Sequence, residues 1–205
     1  MKTVENIIIS CSSQKSKEPG IKAKLADLSF DQLSETRNYL AERYIDPDYH
    51  FISDRRLNTV RHRNISRCLE WNNCLPAHSR YTGKVFSHIQ NQNWLKAHNV
   101  LIVSPLFGII KPGDKIPNYN LQMSDLLVSK KHNINIPIWR IWRPVLDELI
   151  HELSDGKTTF SLLFNSCTRG FSVDTRNSFE SPVIQWRDNY GHHKGEWLND
   201  YLSNR

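Results

Sequence analysis

Three short apolar runs constrain this chain most: residues 6–10 (NIIIS), 99–104 (NVLIVS) and 158–164 (TTFSLLF). Each is short for a helix and too apolar to alternate between core and solvent. That is the pattern of a strand buried on both faces. The stretches between them carry helical spacing, so the chain reads as α/β. The expected architecture is a central sheet flanked by helices, in one domain over residues 1–205. Each run leads into a small polar cluster: Ser10-Cys11-Ser12, Ser104-Pro105 and Asn165-Ser166-Cys167. Ligands of open α/β sheets sit at the C-terminal ends of the strands. A cleft at these three ends, with Lys15 and Lys111 as nearby cations, is therefore the expected site.

The intervening segments are read more coarsely. Residues 29–44 form a helix capped by Ser29 or Asp31, with Leu33, Leu40 and Tyr44 on one face, ended by Asp46-Pro47-Asp48. Residues 14–24, with Pro19-Gly20, form a loop. Residues 81–98 read as helical after Thr82-Gly83, and residues 141–153 as an amphipathic helix ending at Ser154-Asp155-Gly156. Residues 117–123 are extended. Hydrophobic residues are 39% of the 205, which excludes a disordered polyelectrolyte. Mean hydropathy is −0.55, and no run approaches the roughly 20 apolar residues of a membrane span. The N-terminus has no secretory pattern, so the expected location is the cytoplasm, with no membrane partner and reduced cysteines.

Charge points to a partner. Lysine plus arginine number 27 against 21 acids, a net charge of +6. The excess is concentrated in residues 51–71, where Arg55, Arg56, Arg61, Arg63 and Arg67 face only Asp54 before Glu70. Leu57, Val60, Asn64, Cys68 and Trp71 recur at three- and four-residue steps, which predicts an amphipathic helix with Arg56, Arg63 and Arg67 opposite. Guanidinium forks suit phosphate oxygens, and Trp71 or Tyr81 can stack an unpaired base. DNA or another nucleic acid is the expected partner. A solvated face paired with acids elsewhere is the alternative.

The cysteines show no CxxC pair, and adjacent His192 and His193 point apart in a helix or strand, so no metal site is expected. The cofactor is left unassigned.

The run Ser104-Pro105-Leu106-Phe107-Gly108-Ile109-Ile110-Lys111-Pro112-Gly113-Asp114, followed by Pro117, Tyr119, Leu121 and Met123, resembles the central signature of the YaaA peroxide-stress family, S-x-L-Y-G-x-L-R-P-x-D then P-Y-R-L-x-M. Other pieces follow in the family's order. Ile7-Ile8-Ile9-Ser10 with Lys15 is similar to its opening strand and S-P-A-K turn. Ile52-Ser53-Asp54-Arg55 with Leu57 and Trp71 is similar to I-S-x-K-L…W. Tyr81-Thr82-Gly83 is its Y-T-G, and Trp142 resembles its F-W before a helix. Cys11 stands where the family has proline, and Cys11-x3-Lys15 looks like a related group that includes the catalytic domain of archaeosine synthase. The family's basic C-terminal Y-A-K-K-A-R-G segment has no clear counterpart.

The resemblance implies a mixed α/β fold, protection from hydrogen peroxide, DNA binding, and kinship with base-modifying enzymes. Under the first reading, Arg55, Arg56, Arg61, Arg63 and Arg67 hold phosphates. The cleft, with Ser10, Cys11, Ser12, Tyr81, Thr82, Gly83, Ser104, Phe107, Gly108, Lys111, Asn165 and Ser166, holds a nucleotide or nucleobase. The second reading is an enzyme acting on a nucleobase or related heterocycle. There Lys15 is nucleophile or electrostatic clamp and Asp114 assists proton transfer. A third has Cys11 or bound iron responding to peroxide. Bland alternatives stand beside these. Cys11 is a packed small residue, Lys111 and Asp114 form a structural ion pair on a loop stiffened by Pro112, and Asn165 and Ser166 cap a turn.

Overall fold

The computed structural model describes residues 5–53, 61–62, 68–181 and 190–204. Among them the strands are β1 (Asn6–Ser10), β2 (His50–Ser53), β3 (Arg61–His62), β4 (Leu75–Pro76), β5 (Val100–Ser104), β6 (Gly108–Ile110), β7 (Lys115–Ile116), β8 (Leu126–Ser129), β9 (Ile134–Pro137) and β10 (Thr159–Leu162). The helices are α1 (Ser34–Ile45), α2 (Ala77–Arg80), α3 (Asn91–Trp94), α4 (Ile138–Leu153), α5 (Asn165–Thr168), α6 (Val173–Asn177) and α7 (Tyr190–Ser203). None is long and apolar enough to cross a membrane.

The three apolar runs become neighbours in one sheet of order β10-β1-β5-β6. β1 pairs in parallel with β10 (Ile9↔Leu162) and with β5 (Ile9↔Ile102). β6 folds back antiparallel on β5, with Ser104 opposite Gly108. Ile7, Ile8 and Ile9 are fully buried, as a strand covered on both faces requires. A second, antiparallel sheet of order β3-β2-β8-β9 leads from β9 directly into α4. Pro137 opens that helix, where its missing N–H costs nothing. Trp142 of α4 is buried beneath the β5–β6 turn, and its indole donates to Pro105 O at 2.8 Å.

Both edges of this first sheet are covered. The buried Arg37 of α1 donates to Phe107 O (2.9 Å) and Ile109 O (2.8 Å) along β6. Residues beyond α6 cover the other edge: Ser161 N donates to Glu180 O (2.8 Å) and Glu180 N donates to Thr159 O (2.9 Å), a parallel bridge beside β10. Such cover removes unpaired strand groups that invite association.

Two expectations are corrected. Residues 51–71 are not one helix. Residues 51–53 lie in β2, Arg61 and His62 form β3 opposite it (Ile52↔His62, Ser53↔Arg61), and Trp71 sits in a turn. Long-range pairing of Phe51 with Leu127 outweighs the local three-and-four spacing. Arg55, Arg56, Arg63 and Arg67 lie outside the described residues. Residues 81–98 are likewise not a continuous helix. They break into a 3-10 turn at Phe86–His88 and the single-turn α3. Side chains compete for the backbone there: Ser87 Oγ donates to Lys84 O and His88 Nδ1 bonds the same carbonyl.

A candidate site at the strand ends

At the end of β1 the backbone continues one step along β5, with Cys11 N donating to Val103 O at 3.0 Å. It then turns sharply. Gln14 N donates to Ser12 Oγ (3.0 Å), and Lys15 Nζ donates to Ser12 O (2.9 Å). Lys15 and Tyr81 form a backbone bridge, and Thr82 N donates to Gln14 O at 3.1 Å. The turn is thereby laced to the segment carrying Gly83. A Cβ on Gly83 would lie 2.2 Å from Ser12 Oγ, so glycine permits this approach.

The end of β10 closes the other side. Phe164 N donates to Ser10 Oγ at 2.8 Å, and Cys167 N donates back to Phe164 O at 2.8 Å as α5 begins. Between these walls lies a cavity of about 420 Å³. It is lined by the β1 turn from Ser10 to Gln14, by Gly83 to Phe86, by Leu121 to Met123, and by Phe164, Ser166, Cys167 and Gly191. Its volume falls among small-ligand sites, which run from roughly 300 to 1,000 Å³.

Behind the wall sits a buried hydroxyl cluster. Tyr119 OH lies 2.7 Å from Tyr81 OH and 2.9 Å from Ser104 Oγ. Burial raises both phenols well above their usual range, so both stay protonated as donors. Lys15 Nζ lies over the Tyr119 ring, 4.2 Å from its centroid, and 5.4 Å from that of Tyr81. Its ammonium is thus held between a carbonyl and π faces.

Two thiols meet at the cavity. Cys11 and Cys167 interact side chain to side chain. That bond, with burial, holds the Cys11 thiol well above its ordinary value. The same bond lowers Cys167, aided by Ser10 and Ser166 and by the Lys194 charge, against the opposing effect of burial. Lys194 reaches in from α7. Its Nζ donates to Leu162 O (2.8 Å) and Leu163 O (2.7 Å) and lies 4.4 Å from the Phe164 ring centroid. Burial lowers it to about 8.

Of the residues expected at the site, Ser10, Cys11, Ser12, Gly83 and Ser166 line the cavity. Lys15, Tyr81 and Ser104 stand behind its wall, beside Tyr119. Thr82 is exposed and holds the β1 turn through its N–H, and Asn165 is exposed at the start of α5. Phe107 and Gly108 are buried in the β5–β6 turn, against Arg37 and Trp142 respectively. Lys111 and Asp114 do not line the cavity. The Asp114 carboxylate accepts from Ser29 Oγ (2.7 Å), Ser29 N (3.2 Å) and Lys111 N (2.9 Å), which knits its loop to the segment before α1. Arg61 lies in β3. Gln14, Lys84, Gln122, Cys167 and Lys194 had not been singled out. Cys167 alone had a sequence signal, its place in the polar cluster after the third apolar run.

These features define an α/β protein with a ligand-sized cavity at the C-terminal ends of adjacent parallel strands. The model of the family described as "Peroxide stress protein YaaA" matches residues 6–185, and the chain belongs to that family. It is also similar to UPF0246 proteins of Rickettsia bellii, strains OSU 85-389 and RML369-C. Each is 31% identical over 113 residues, covering 51% of this chain and 42% of the relative. The match thus spans less than half the length of these curated relatives.

Proposed function

We propose that this YaaA-family protein acts on nucleic acid during peroxide stress, holding phosphates with its arginine-rich segment and a nucleotide or extruded base in the strand-end cleft. The observation that carries the reading is the make-up of the cavity wall. Hydroxyl and amide groups of Ser12, Gln14, Gln122 and Ser166 stand beside Phe86 and Phe164. A nucleobase needs that combination: polar groups for its hydrogen-bonding edge and apolar or aromatic surface for its faces. The arginines of residues 55–67 supply the phosphate side in sequence, five against the single acid Asp54. The base-modifying alternative needs an amine at the cavity. Lys15 is instead occupied by Ser12 O and the Tyr119 ring, which favours binding over Lys15 attack.

Fluorescence anisotropy with duplex, branched and single-stranded DNA tests this. If five phosphates are neutralised, duplex affinity falls roughly two to three orders of magnitude between about 50 and 200 mM salt. Absence of retention on any form at low salt overturns the reading.

A further inference from the structure

The cavity holds a chemical group that base recognition does not use. Of the four cysteines, Cys11 and Cys167 line the same cavity, at the ends of neighbouring parallel strands. Two bonds bring them together: Phe164 N to Ser10 Oγ on one side, and the Cys167 N to Phe164 O turn on the other. The other two cysteines lie apart. Cys74 is fully buried with its sulfur against Trp71 O, and Cys68 is exposed. The groups facing the pair come from several elements: Ser10 and Lys15 around the β1 turn, Tyr81 and Tyr119 behind it, Ser166 in α5 and Lys194 in α7, with Lys84 on the same cavity wall. Lys194 faces Cys167 and Lys15 faces Cys11; a cation beside a thiol favours its thiolate.

We propose that Cys11 and Cys167 form a hydroperoxide-reactive dithiol in the cleft, with Cys167 the attacking sulfur and Cys11 the resolving one. The roles follow from their surroundings: Cys167, with Cys11, the Ser10 and Ser166 hydroxyls and Lys194 about it, is lowered and so is the more readily ionised of the two, whereas its neighbour and burial raise Cys11. In the first step the Cys167 thiolate attacks one oxygen of the hydroperoxide. The O–O bond breaks, sulfur gains the oxygen as a sulfenic acid, and the leaving oxygen departs as water or alcohol after taking a proton. In the second, Cys11 gives up its proton and attacks the Cys167 sulfur. The S–S bond forms, the S–O bond breaks, and the oxygen leaves as water. Two thiols supply two electrons and two protons, and one hydroperoxide is reduced. The product links the β1 turn to α5 on the cavity wall.

The test treats the reduced full chain, in a Cys68→Ser background, with stoichiometric hydrogen peroxide, followed by intact-mass measurement and peptide mapping. The expected result is loss of two hydrogen atoms and a single Cys11–Cys167 cross-link. Cys11→Ser in the same background stops at the first step, with one oxygen added at Cys167 and trapped by dimedone. Cys167→Ser leaves Cys11 unmodified. A second measurement needs no oxidant: the pH profile of iodoacetamide labelling at Cys167 moves upward in Cys11→Ala, which cannot donate, and less in Cys11→Ser, which can. Unchanged mass, a cross-link to Cys74, or an unshifted labelling profile overturns the assignment. DNA retention is read separately, so its loss or survival does not bear on this result.

Discussion

At the scale of single residues, three buried cations organise the molecule. Arg37, Arg80 and Lys194 are each no more than 1% exposed, although arginine and lysine are ordinarily surface residues. Each spends its donors on backbone carbonyls. Arg37 holds the β6 edge and Phe30. Arg80 ties Ser16, Asn73 and Ile116 together, and Lys194 holds the end of β10. Lys194 carries a pH signature. Burial lowers it from 10.5 to about 8, so between those values the unfolded chain binds more protons than the native one. Stability from this group therefore rises with pH across about 8 to 10.5. Chemical denaturation at pH 8 and pH 10 is expected to show that rise in wild type and not in Lys194→Met. Equal pH dependence in both would refute the assignment. Ser104 is a second case. Its hydroxyl bonds Tyr119 and accepts from Leu106 N and Phe107 N. Ser104→Ala leaves buried groups unsatisfied, an expected loss of about 1–3 kcal/mol in urea denaturation.

At the scale of elements, the β5–β6 turn and α4 form one unit. Gly108 has φ +69°, and a Cβ there would lie 2.7 Å from Trp142 Cζ3. Gly108→Ala therefore combines left-handed strain with overpacking, about 2–5 kcal/mol together. A thermal melt checks it: an unshifted midpoint would show that the turn relaxes freely. Elements differ in how legible they are in sequence. β1, β5 and β10 lie within a residue or two of the apolar runs that predict them; β1 and β5 are buried along their whole length, so their limits coincide with the apolar run, while β10 is half-buried in its middle and is the shortest fit. The expected helix at residues 29–44 is α1 starting at Ser34, after a 3-10 turn in which Phe30 takes φ 71°. The two segments read as helices break for different reasons: in β2, Phe51 pairs with Leu127 far along the chain, whereas at residues 84–88 the Ser87 and His88 side chains take the Lys84 carbonyl.

At the scale of the whole molecule, the cavity is a composite. Its wall draws on the β1 turn, residues 83–86, residues 121–123, α5 and α7, from Ser10 to Gly191. Filling it separates two parts of the proposed function. Ser166→Trp projects a large side chain from the rim, so nucleoside affinity is expected to drop at least about tenfold, or about 1.4 kcal/mol. Salt-sensitive duplex binding through the arginines persists. Equilibrium dialysis with a nucleoside, run beside duplex anisotropy, distinguishes them; parallel loss of both would place phosphates and base in one site.

By itself the amino-acid sequence determined the buried strands, the polar clusters at their ends and the family resemblance. Those are properties of short contiguous segments, where residue type and local order carry the physics. Only the tertiary structure decided which of these residues meet. It brought Cys11 to Cys167, laid Lys15 on Tyr119, sent Asp114 to Ser29 and drew Lys194 under the end of β10. Such meetings depend on long-range pairing and on burial, which converts an ordinary surface lysine or a lone cysteine into a group with altered proton affinity.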